Sequence, residues 1–223
     1  EFKEKGIYQV ERYDGDPYGA IAFEDFVRDP ENNPRPNSES GKFEIFSRKL
    51  ADVATAMGYS EVPAIPKYIP PIEGYEYTKN GEFPYQRITI HYLRRCHTLF
   101  ENVPNLREAW PSNLIISSHD AKKVGVQDGD SVMLTAPNGG RIVRPVTVSE
   151  RLMPGVILHP HGSPPEIDEE TGIDFGGGDN SILGANKTGM GISGYNSSVV
   201  NMEKWNGPKQ IPDVEKPIVG PKL

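Results

Sequence analysis

The sequence is poor in cysteine, in long apolar runs and in clustered positive charge. Its single cysteine, Cys96, excludes an internal disulfide framework and a four-cysteine iron–sulfur or zinc site within these 223 residues. The longest apolar runs, such as 114–116 and 156–158, are far too short to span a bilayer. A net charge of −7 argues against a general nucleic-acid binder, because clustered Lys and Arg hold phosphate backbones. Any phosphate ligand must therefore be met by a local site.

The composition favours many turns and short strands over a helical bundle. Glycine (23 residues) and proline (21 residues) are both abundant, which is typical of a mainly β domain. The sequence begins at Glu1, and the pattern of a signal peptide, a basic start followed by an apolar stretch, is absent from it. We therefore expect Glu1 to mark a cut, a processing site or another imposed boundary, and the sequence does not give the cellular location directly.

Residues 1–80 are predicted to form a connector arm that is rich in Pro, Asp, Asn and Tyr. Within this arm the alternating segment 42–46 predicts a strand. Ser47 is a suitable N-cap for a helix over residues 48–57, which a glycine then ends. Four prolines in residues 63–71 predict an extended, stiff connector. Because such an arm buries little surface alone, we expect it to lie against a partner domain.

Residues 81–206 have a different texture and predict a small β-barrel, followed by a C-terminal tail over residues 207–223. Short alternating segments are separated by turn residues, and only one of the intervening segments has a helical pattern. Six short strands with one small helix favour a barrel. The predicted strands cover residues 87–93, 114–116, 131–136, 141–148, 156–158 and 198–202.

Local signals between these strands predict the connections. Ser118 is expected to cap a helix over residues 119–124, which Gly125 ends. Residues 137–140, Pro-Asn-Gly-Gly, predict a hairpin turn. Pro145 cannot donate a backbone hydrogen bond, so it is expected to mark a sheet edge or a bulge.

Basic and hydroxyl side chains crowd the end of the first predicted strand. Residues 89–98 contain two His, two Arg and two Thr. Arginine offers five donors in a planar fork that suits phosphate, and Thr98 adds a hydroxyl. In an otherwise acidic chain this pattern favours a local anion site. The alternative interpretation is a solvated edge strand with incidental basic residues.

The long loop before Ser198 is a predicted binding loop, because structureless stretches of that length in compact domains are usually functional or disordered. A plain surface loop is the alternative. Its glycine-rich segments 176–178 and 189–194 match neither a Walker loop nor a dinucleotide fingerprint, so glycine is expected to let the backbone approach a ligand. Asn180 and Asn196 can each donate and accept, which fits the edge of a purine base.

The remaining candidates for chemistry are sparse. His159 and His161 lie on one face of a strand and are spaced to reach a metal together, but no third ligand is evident near them. Histidines that line a loop are therefore the favoured interpretation. Cys96 is interpreted as a half-buried strand residue. We recognise no Ser-His-Asp or Cys-His arrangement, so the sequence predicts neither catalytic nor metal-ligating residues.

Three ordered sets of segments carry a resemblance to a known family. In the arm they are residues 21–30, 40–47 and 50–51; in the first barrel strand they are 91–92, 95–98 and 102–103; and the later turn signals are 120–121, 125–126, 128–130, 138–140 and 153–156. On these segments the chain resembles the catalytic subunit of anaerobic dimethyl sulfoxide reductase. That subunit is a member of the molybdopterin-guanine-dinucleotide oxidoreductases. The resemblance covers the chain from about Ile21 to Lys204.

The resemblance implies a mainly β fold, a six-stranded double-psi β-barrel preceded by an irregular proline-rich arm. It implies molybdopterin guanine dinucleotide, in the bis form with molybdenum, in the full-length protein. The side-chain metal ligand and the iron–sulfur cysteines of the family belong to earlier domains, so this piece would hold and orient the cofactor. The residues implied to contact it are His91, Tyr92, Arg95, His97, Thr98, Asn180, Tyr195 and Asn196.

The resemblance also implies an oxidoreductase that reduces S-oxide or N-oxide substrates by oxygen-atom transfer, with this fragment inactive by itself. The implied partners are the N-terminal domains of the same subunit, an iron–sulfur electron-transfer subunit and a membrane-anchor subunit, and the resemblance implies export with membrane association through these partner subunits. Nucleic acid is not an expected partner. Two alternatives stay open: a non-catalytic barrel that serves as a scaffold or subunit-interaction module without a cofactor, and a small stand-alone barrel enzyme. The basic cluster at 89–98 argues against the first, and the proline-rich arm argues against the second.

Overall fold

The computed structural model describes residues 2–8, 22–35, 37–60, 62–186 and 191–216. The chain divides between Lys67 and Tyr68 into two compact units. Parts of three predicted segments lie outside the described residues. These parts are residues 1, 9–21, 36 and 61 of the arm, residues 187–190 of the long loop, and residues 217–223 of the tail.

The first unit contains helices and, among its described residues, no strand. The helices are α1 (Phe2–Lys5), α2 (Glu24–Arg28) and α3 (Arg48–Met57). The prediction for α3 is confirmed at both ends. The Ser47 side chain accepts a hydrogen bond from the backbone N–H of Leu50, and Gly58 ends the helix with a left-handed φ of 72°.

The predicted strand at residues 42–46 is wrong. In this segment the ring of Phe43 packs edge-on against the rings of Phe23 and Phe26, and the guanidinium of Arg35 lies over the same ring. Phe43 thus packs in a small aromatic cluster, while Ile45 is 77% exposed, so the alternation buries no common face. A strand also needs a partner for its backbone hydrogen bonds, and no described segment of this unit offers one.

The second unit carries all the strands of the described chain. None of the described helices of either unit has the length and apolar content needed to cross a membrane. All six predicted strands are present, although the first ends at Ile90. The elements of the unit are α4 (Tyr75–Thr78), β1 (Tyr85–Ile90), α5 (Pro104–Ala109), β2 (Leu114–Ser117), α6 (Ser118–Val124), β3 (Ser131–Thr135), β4 (Arg141–Ser149), β5 (Val156–Pro160), β6 (Ile173–Asp174), α7 (Asp179–Ile182), β7 (Ser198–Lys204) and a 3-10 helix (Asp213–Glu215).

Six of these strands close into a barrel. Around the ring, β1 pairs with β7, β7 with β3, β3 with β4, β4 with β2, β2 with β5, and β5 with β1. The pairs β1–β5 and β2–β4 are parallel and the other four are antiparallel, while β6 adds to β4. Closure leaves no unpaired edge around the ring. The predicted six-stranded barrel is therefore confirmed.

The barrel interior is filled by alternating apolar side chains. Along β3, Val132 and Leu134 are fully buried while their neighbours are partly exposed. Leu114 and Ile116 of β2 and Ile142 of β4 are also fully buried and belong to the same cluster. Each such side chain contributes about 1.5–3 kcal/mol when fully buried. This core holds the strand ends, and the loops that leave them, in fixed positions.

Turn chemistry agrees with the sequence except in two details. Helix α6 is capped by Ser117, whose hydroxyl accepts from the backbone N–H of Asp120, so the predicted cap Ser118 is one residue late. Pro145 lies inside β4, which is paired on both sides, so it marks no free edge. The pairing of β4 with β3 ends at Pro145, and the pairing of β4 with β2 begins at Val146. The missing N–H thus falls where the strand changes partner.

The segment after β7 returns to the barrel and inserts a buried carboxylate. Asp213 is paired with the guanidinium of Arg144 and accepts a hydrogen bond from the backbone N–H of Ser112 at 3.0 Å. Burial alone raises the pKa of Asp213. The charge of Arg144 and its hydrogen bond outweigh burial, so the pKa is lowered. Residues 207–216 of the predicted tail thus include a structural contact with the barrel.

Candidate functional site

A cavity of about 310 Å³ lies where β1 and β5 end. Parallel pairing sets Ile90 opposite Pro160, so the chain leaves both strands at the same edge of the barrel. His91 and His161 are the next residues on the two strands, and the backbone N–H of His161 donates to the carbonyl of Ile90 at 2.8 Å. The cavity is lined by Thr89, His91, His97, His161, Tyr195 and Asn196.

The loop that precedes β7 contacts β1 at this cavity. The Asn196 side-chain oxygen accepts a hydrogen bond from the backbone N–H of Thr89 at 3.0 Å, which leaves the amide nitrogen of Asn196 to donate elsewhere. The hydroxyl of Thr89 is buried and has no hydrogen-bond partner among the described residues. Buried polar atoms without a partner are uncommon and require an explanation. Because Thr89 also lines the cavity, this hydroxyl is a candidate contact for a polar ligand.

Three histidine rings share one wall of the cavity. The rings of His91 and His161 are stacked, with centroids 4.6 Å apart and planes 6° apart. The His97 ring meets both edge-on, at 5.2 Å from His91 and 5.0 Å from His161. Nδ1 of His97 and Nε2 of His161 are hydrogen-bonded at 2.8 Å. His91 and His97 lie six residues apart in the segment after β1, whereas His161, which directly follows β5, lies 64 residues beyond His97 in the chain.

A buried ion pair stands behind this wall. Nδ1 of His161 lies 2.7 Å from Oδ2 of Asp179, and Oδ1 of the same carboxylate lies 2.8 Å from Nη1 of Arg87. Arg87 is fully buried, and its Nε donates to the hydroxyl of Ser198. Burial lowers the pKa of Arg87, and the charge of Asp179 opposes this shift. The order of contacts from the interior to the cavity is therefore Arg87, Asp179, His161 and His97.

His159 is a neutral member of the same interior group. Burial lowers its pKa to about 4, and the charge of Arg87 acts in the same direction. Because a guanidinium only donates, Nδ1 of His159 must accept from Nη1 of Arg87, at 3.1 Å. Nε2 therefore carries the proton and donates to the carbonyl of Gly177, at 2.9 Å. His159 thus helps to position the guanidinium of Arg87, and the carboxylate of Asp179 neutralises its positive charge.

The contact of His161 with Asp179 fixes one of its protons on Nδ1 and leaves two states open for Nε2. A carboxylate only accepts, so Nδ1 of His161 carries a proton toward Asp179. If Nε2 of His161 is unprotonated, Nδ1 of His97 donates to it, and Nε2 of His97 is left as an acceptor. If Nε2 is protonated, the bond reverses and Nε2 of His97 becomes a donor. The pair can thus present either a donor or an acceptor to a ligand without moving a ring.

One glycine permits the close approach of the two loops. Gly162 has a left-handed φ of 101°, and a Cβ atom there would lie 1.8 Å from the backbone oxygen of His97. Any side chain would therefore push the turn that carries His97 and Thr98 away from the end of β5. The contact between His97 and His161 depends on this bare backbone.

Two of the predicted ligands face the protein instead of the cavity. Arg95 is only 6% exposed, and its guanidinium is paired with the carboxylate of Glu101. It also donates to the carbonyl of Trp110 and the hydroxyl of Ser112. The hydroxyl of Tyr92 donates to the nearby carbonyl of Pro111 at 3.0 Å. The charge of Arg95 is thus already balanced inside the chain, and its contact with a cofactor stays a prediction.

Thr98 and Asn180 are exposed, and neither lines the cavity. Thr98 follows His97 in the turn, and Asn180 is the second residue of α7, next to the buried Asp179. The structure therefore brings together four of the eight predicted residues, namely His91, His97, Tyr195 and Asn196. The roles of the other four as cofactor ligands remain predictions.

The glycines at 176–178 serve internal packing. Both carboxylate oxygens of Asp174 accept from the backbone N–H groups of these three glycines, at 2.8–3.1 Å. Burial raises the pKa of Asp174, but hydrogen bonds from Ser181 and the backbone outweigh it and lower the pKa. A Cβ atom at Gly177 would lie 2.7 Å from the side chain of Arg144. These glycines pack against the barrel, which leaves no gap for a ligand to approach their backbone.

Sequence reasoning missed the interior half of the site. Arg87 and Asp179 had no assigned role, and His161 was interpreted only as a residue lining a loop. Cys96 was expected to be half-buried and is exposed. A usable signal was the position of Arg87, two residues after Tyr85 and on the same buried face of β1. A charged residue at an inward position requires a buried partner.

Comparison with known proteins identifies relatives of this fold and sequence. The family described as the Molydopterin dinucleotide binding domain matches residues 85–196. The dimethyl sulfoxide reductase DmsA of Escherichia coli is 33% identical over 181 residues, which is 79% of this chain and 21% of that protein. The dimethyl sulfoxide/trimethylamine N-oxide reductase of Rhodobacter capsulatus is 27% identical over 93% of this chain and 25% of that protein.

A solved structure supports the fold. Acetylene hydratase from Pelobacter acetylenicus superposes with a TM-score of 0.56 and 21% sequence identity, over 75% of this chain and 24% of that chain. At this identity the likeness concerns the fold alone. The chain spans about a fifth to a quarter of the length of the relatives it matches.

Proposed function

The chain belongs to the molybdopterin dinucleotide-binding domains of the dimethyl sulfoxide reductase family, and from this membership we propose how it holds the cofactor. The cavity at the ends of β1 and β5 receives part of a molybdopterin guanine dinucleotide. When bound, this group supplies a molybdenum centre that exchanges an oxygen atom and two electrons with a substrate. The residues of this chain bind and orient it.

The unpaired hydroxyl of Thr89 is the observation that carries this proposal. It is buried, belongs to a residue that lines the cavity, and has no partner in the part of the chain that the structure describes. Beside it, Asn196 has an amide nitrogen left to donate, and Tyr195 is about half exposed. Pterin rings, sugars and phosphates all offer oxygen or nitrogen acceptors, so hydroxyl and amide donors fit this class of ligand. The residues present therefore fit the cofactor.

The histidine wall supplies an adjustable contact. His97 can donate or accept through its Nε2, depending on where the proton shared with His161 lies. Asp179 fixes the orientation of the His161 ring, and Arg87 fixes Asp179. Because these partners are buried and mutually paired, the ring positions are set before a ligand arrives, which lowers the entropic cost of binding.

A titration of the chain with guanosine diphosphate tests this proposal. EDTA is kept in the buffer so that no metal ion contributes, and binding is followed by thermal stability or by NMR chemical shifts. We expect saturable stabilisation that His97→Ala and Asn196→Ala, both in the cavity lining, weaken. Asn105→Ala, in helix α5 and outside the cavity lining, is the matched control and should leave binding unchanged. Equal binding by all four proteins would contradict the assignment of this cavity.

The relatives support a role for the chain within a larger protein. We infer that the chain is the C-terminal part of an oxidoreductase that reduces S-oxides or N-oxides, as the names of several relatives indicate for those proteins. Its partners are then the earlier domains of the same subunit, an iron–sulfur subunit and a membrane-anchor subunit. In the full-length protein, His97→Ala and Asn180→Ala should lower molybdenum content, measured by elemental analysis. Full occupancy in both variants would favour a barrel that serves as a scaffold.

A further inference from the structure

The histidine wall has the composition of a transition-metal site. One ring nitrogen from each of His91, His97 and His161 lies within 4.8 Å of the other two. Neutral imidazole is a preferred ligand of Zn²⁺, Ni²⁺ and Cu²⁺, and three histidines with one open position form a known kind of zinc site. We propose that, in the absence of the dinucleotide, these three histidines bind one divalent transition-metal ion of this class.

The distances require only a small adjustment of two of the rings. The facing nitrogens of His97 and His161 are 2.8 Å apart because a proton lies between them. Tetrahedral zinc, with Zn–N distances of about 2.0–2.1 Å, holds its ligand atoms about 3.3 Å apart. The two rings must therefore separate by about 0.5 Å. The ion takes the place of the shared proton, and His97 changes tautomer so that its proton lies on Nε2; both rings stay neutral, and the charge of the site rises by two.

The third ligand needs a rotation. His91 is stacked face to face on His161, so its nitrogen does not point at an ion in the plane of the His161 ring. His91 is exposed, and its described contacts are with the two other histidine rings. A turn about its side-chain bonds brings its nitrogen toward the same point without disturbing the barrel core.

The buried carboxylate provides independent support for this site. Asp179 accepts the Nδ1 proton of His161 at 2.7 Å, which leaves Nε2 as the ligating nitrogen. Histidine ligands of metals almost always donate their second nitrogen to such a carboxylate or carbonyl, and loss of this outer partner typically lowers affinity by about 10- to 100-fold. Arg87 in turn holds Asp179 from the barrel interior. The outer partner that a ligating His161 requires is therefore already present without a metal.

This inference stands apart from the proposed function, because its test uses Zn²⁺ alone and no nucleotide. The purified chain, freed of metal with EDTA and exchanged into chelator-free buffer, is titrated with Zn²⁺ by calorimetry. Co²⁺ then replaces Zn²⁺, so that visible absorption reports nitrogen coordination. We expect one Zn²⁺ per chain, an affinity about 10- to 100-fold lower in Asp179→Asn, and a larger loss in His97→Gln and His91→Gln.

The controls separate the site from general surface binding. His119, whose side chain is 69% exposed, lies outside the cluster, so His119→Gln should leave both stoichiometry and affinity unchanged. His91 and His97 are exposed, so their replacement keeps the barrel core, which tryptophan fluorescence verifies. The proposal is overturned if Zn²⁺ shows no saturable one-to-one binding, if His97→Gln binds like the unaltered chain, or if His119→Gln removes binding. Failure of guanosine diphosphate to bind would leave this result unaffected.

Discussion

The buried pair between Arg144 and Asp213 should decide a large part of the stability of the barrel unit. Arg144 is 1% exposed and Asp213 is 6% exposed, so neither charge is solvated by bulk water. In Asp213→Ala the guanidinium keeps its hydrogen bonds to the carbonyls of Ser112 and Phe175 but loses its counter-ion. Removing one partner of a buried ion pair costs about 3–5 kcal/mol.

Asp213→Asn separates charge from hydrogen bonding. The amide oxygen still accepts, so the buried donors of Arg144 and Ser112 keep a partner, and the expected loss is about 1–3 kcal/mol. A typical domain has only about 5–15 kcal/mol of stability, so the two variants should be clearly resolved. The exposed pair of Lys204 and Asp130, 3.9 Å apart, gives the control. Lys204→Gln should cost no more than about 1 kcal/mol.

Urea unfolding followed by tryptophan fluorescence measures these differences in the barrel unit. Both tryptophans, Trp110 and Trp205, lie in this unit, so the signal reports its unfolding separately from that of the first unit. With a slope of about 2 kcal/mol per molar urea, Asp213→Ala should unfold about 2 M earlier. A midpoint equal to that of the unaltered chain would refute the assignment of the C-terminal segment to the fold.

The pH dependence supplies a second check on the same pair. The pKa of Asp213 is lowered in the folded chain, so the ionised form favours folding. This stabilisation is fully present above the unfolded carboxyl pKa of about 3.9 and is lost as the pH falls through the lower folded value. The difference in stability between the unaltered chain and Asp213→Asn should therefore shrink below about pH 4.

Two further outcomes follow from the site. Gly162→Ala should lower the free energy of unfolding more than Gly155→Ala in the same assay. Both glycines have a left-handed φ, which costs a residue with a side chain about 1–2 kcal/mol, but only at Gly162 would the added Cβ atom meet the backbone oxygen of His97. Equal losses would refute this close approach. His159, whose pKa is lowered to about 4, should show ring proton shifts that stay constant between about pH 5 and 8. The free energy of unfolding should fall as the pH drops from about 6.5 toward 4, because the unfolded histidine binds the extra proton. A titration midpoint of about 6.5 in the folded chain would contradict the burial of His159 against Arg87.

The local pattern of the sequence predicted the strands because each depends on near neighbours. Alternation along β3 places Val132 and Leu134 on one face whatever strand lies beside it. The same rule failed at residues 42–46, where Phe43 packs with Phe23 and Phe26, because alternation does not show whether a partner strand exists. The ordered family segments supplied the missing information for the barrel, and the match at residues 85–196 agrees with them.

Half of the residues predicted for the candidate site line the cavity. The pattern at 89–98 led to His91 and His97, and both line the cavity. The same pattern pointed to Arg95, yet this side chain pairs with Glu101 six residues later. A sequence shows that a basic residue is present but not which acidic residue neutralises it, since that depends on the path of the turn.

By itself the sequence determined the strand positions, the turns, the family and the presence of an anion-suited cluster, because these depend on residues close together in the chain. Only the tertiary structure decided that His161 joins His91 and His97, that Asp179 orients His161, and that Arg87 lies behind them. These contacts join Arg87 of β1, the segments that follow β1 and β5, and Asp179 of α7, and the parallel pairing of β1 with β5 favours them by ending both strands at one edge. Contacts between distant segments follow from strand pairing and barrel closure, which local periodicity does not encode.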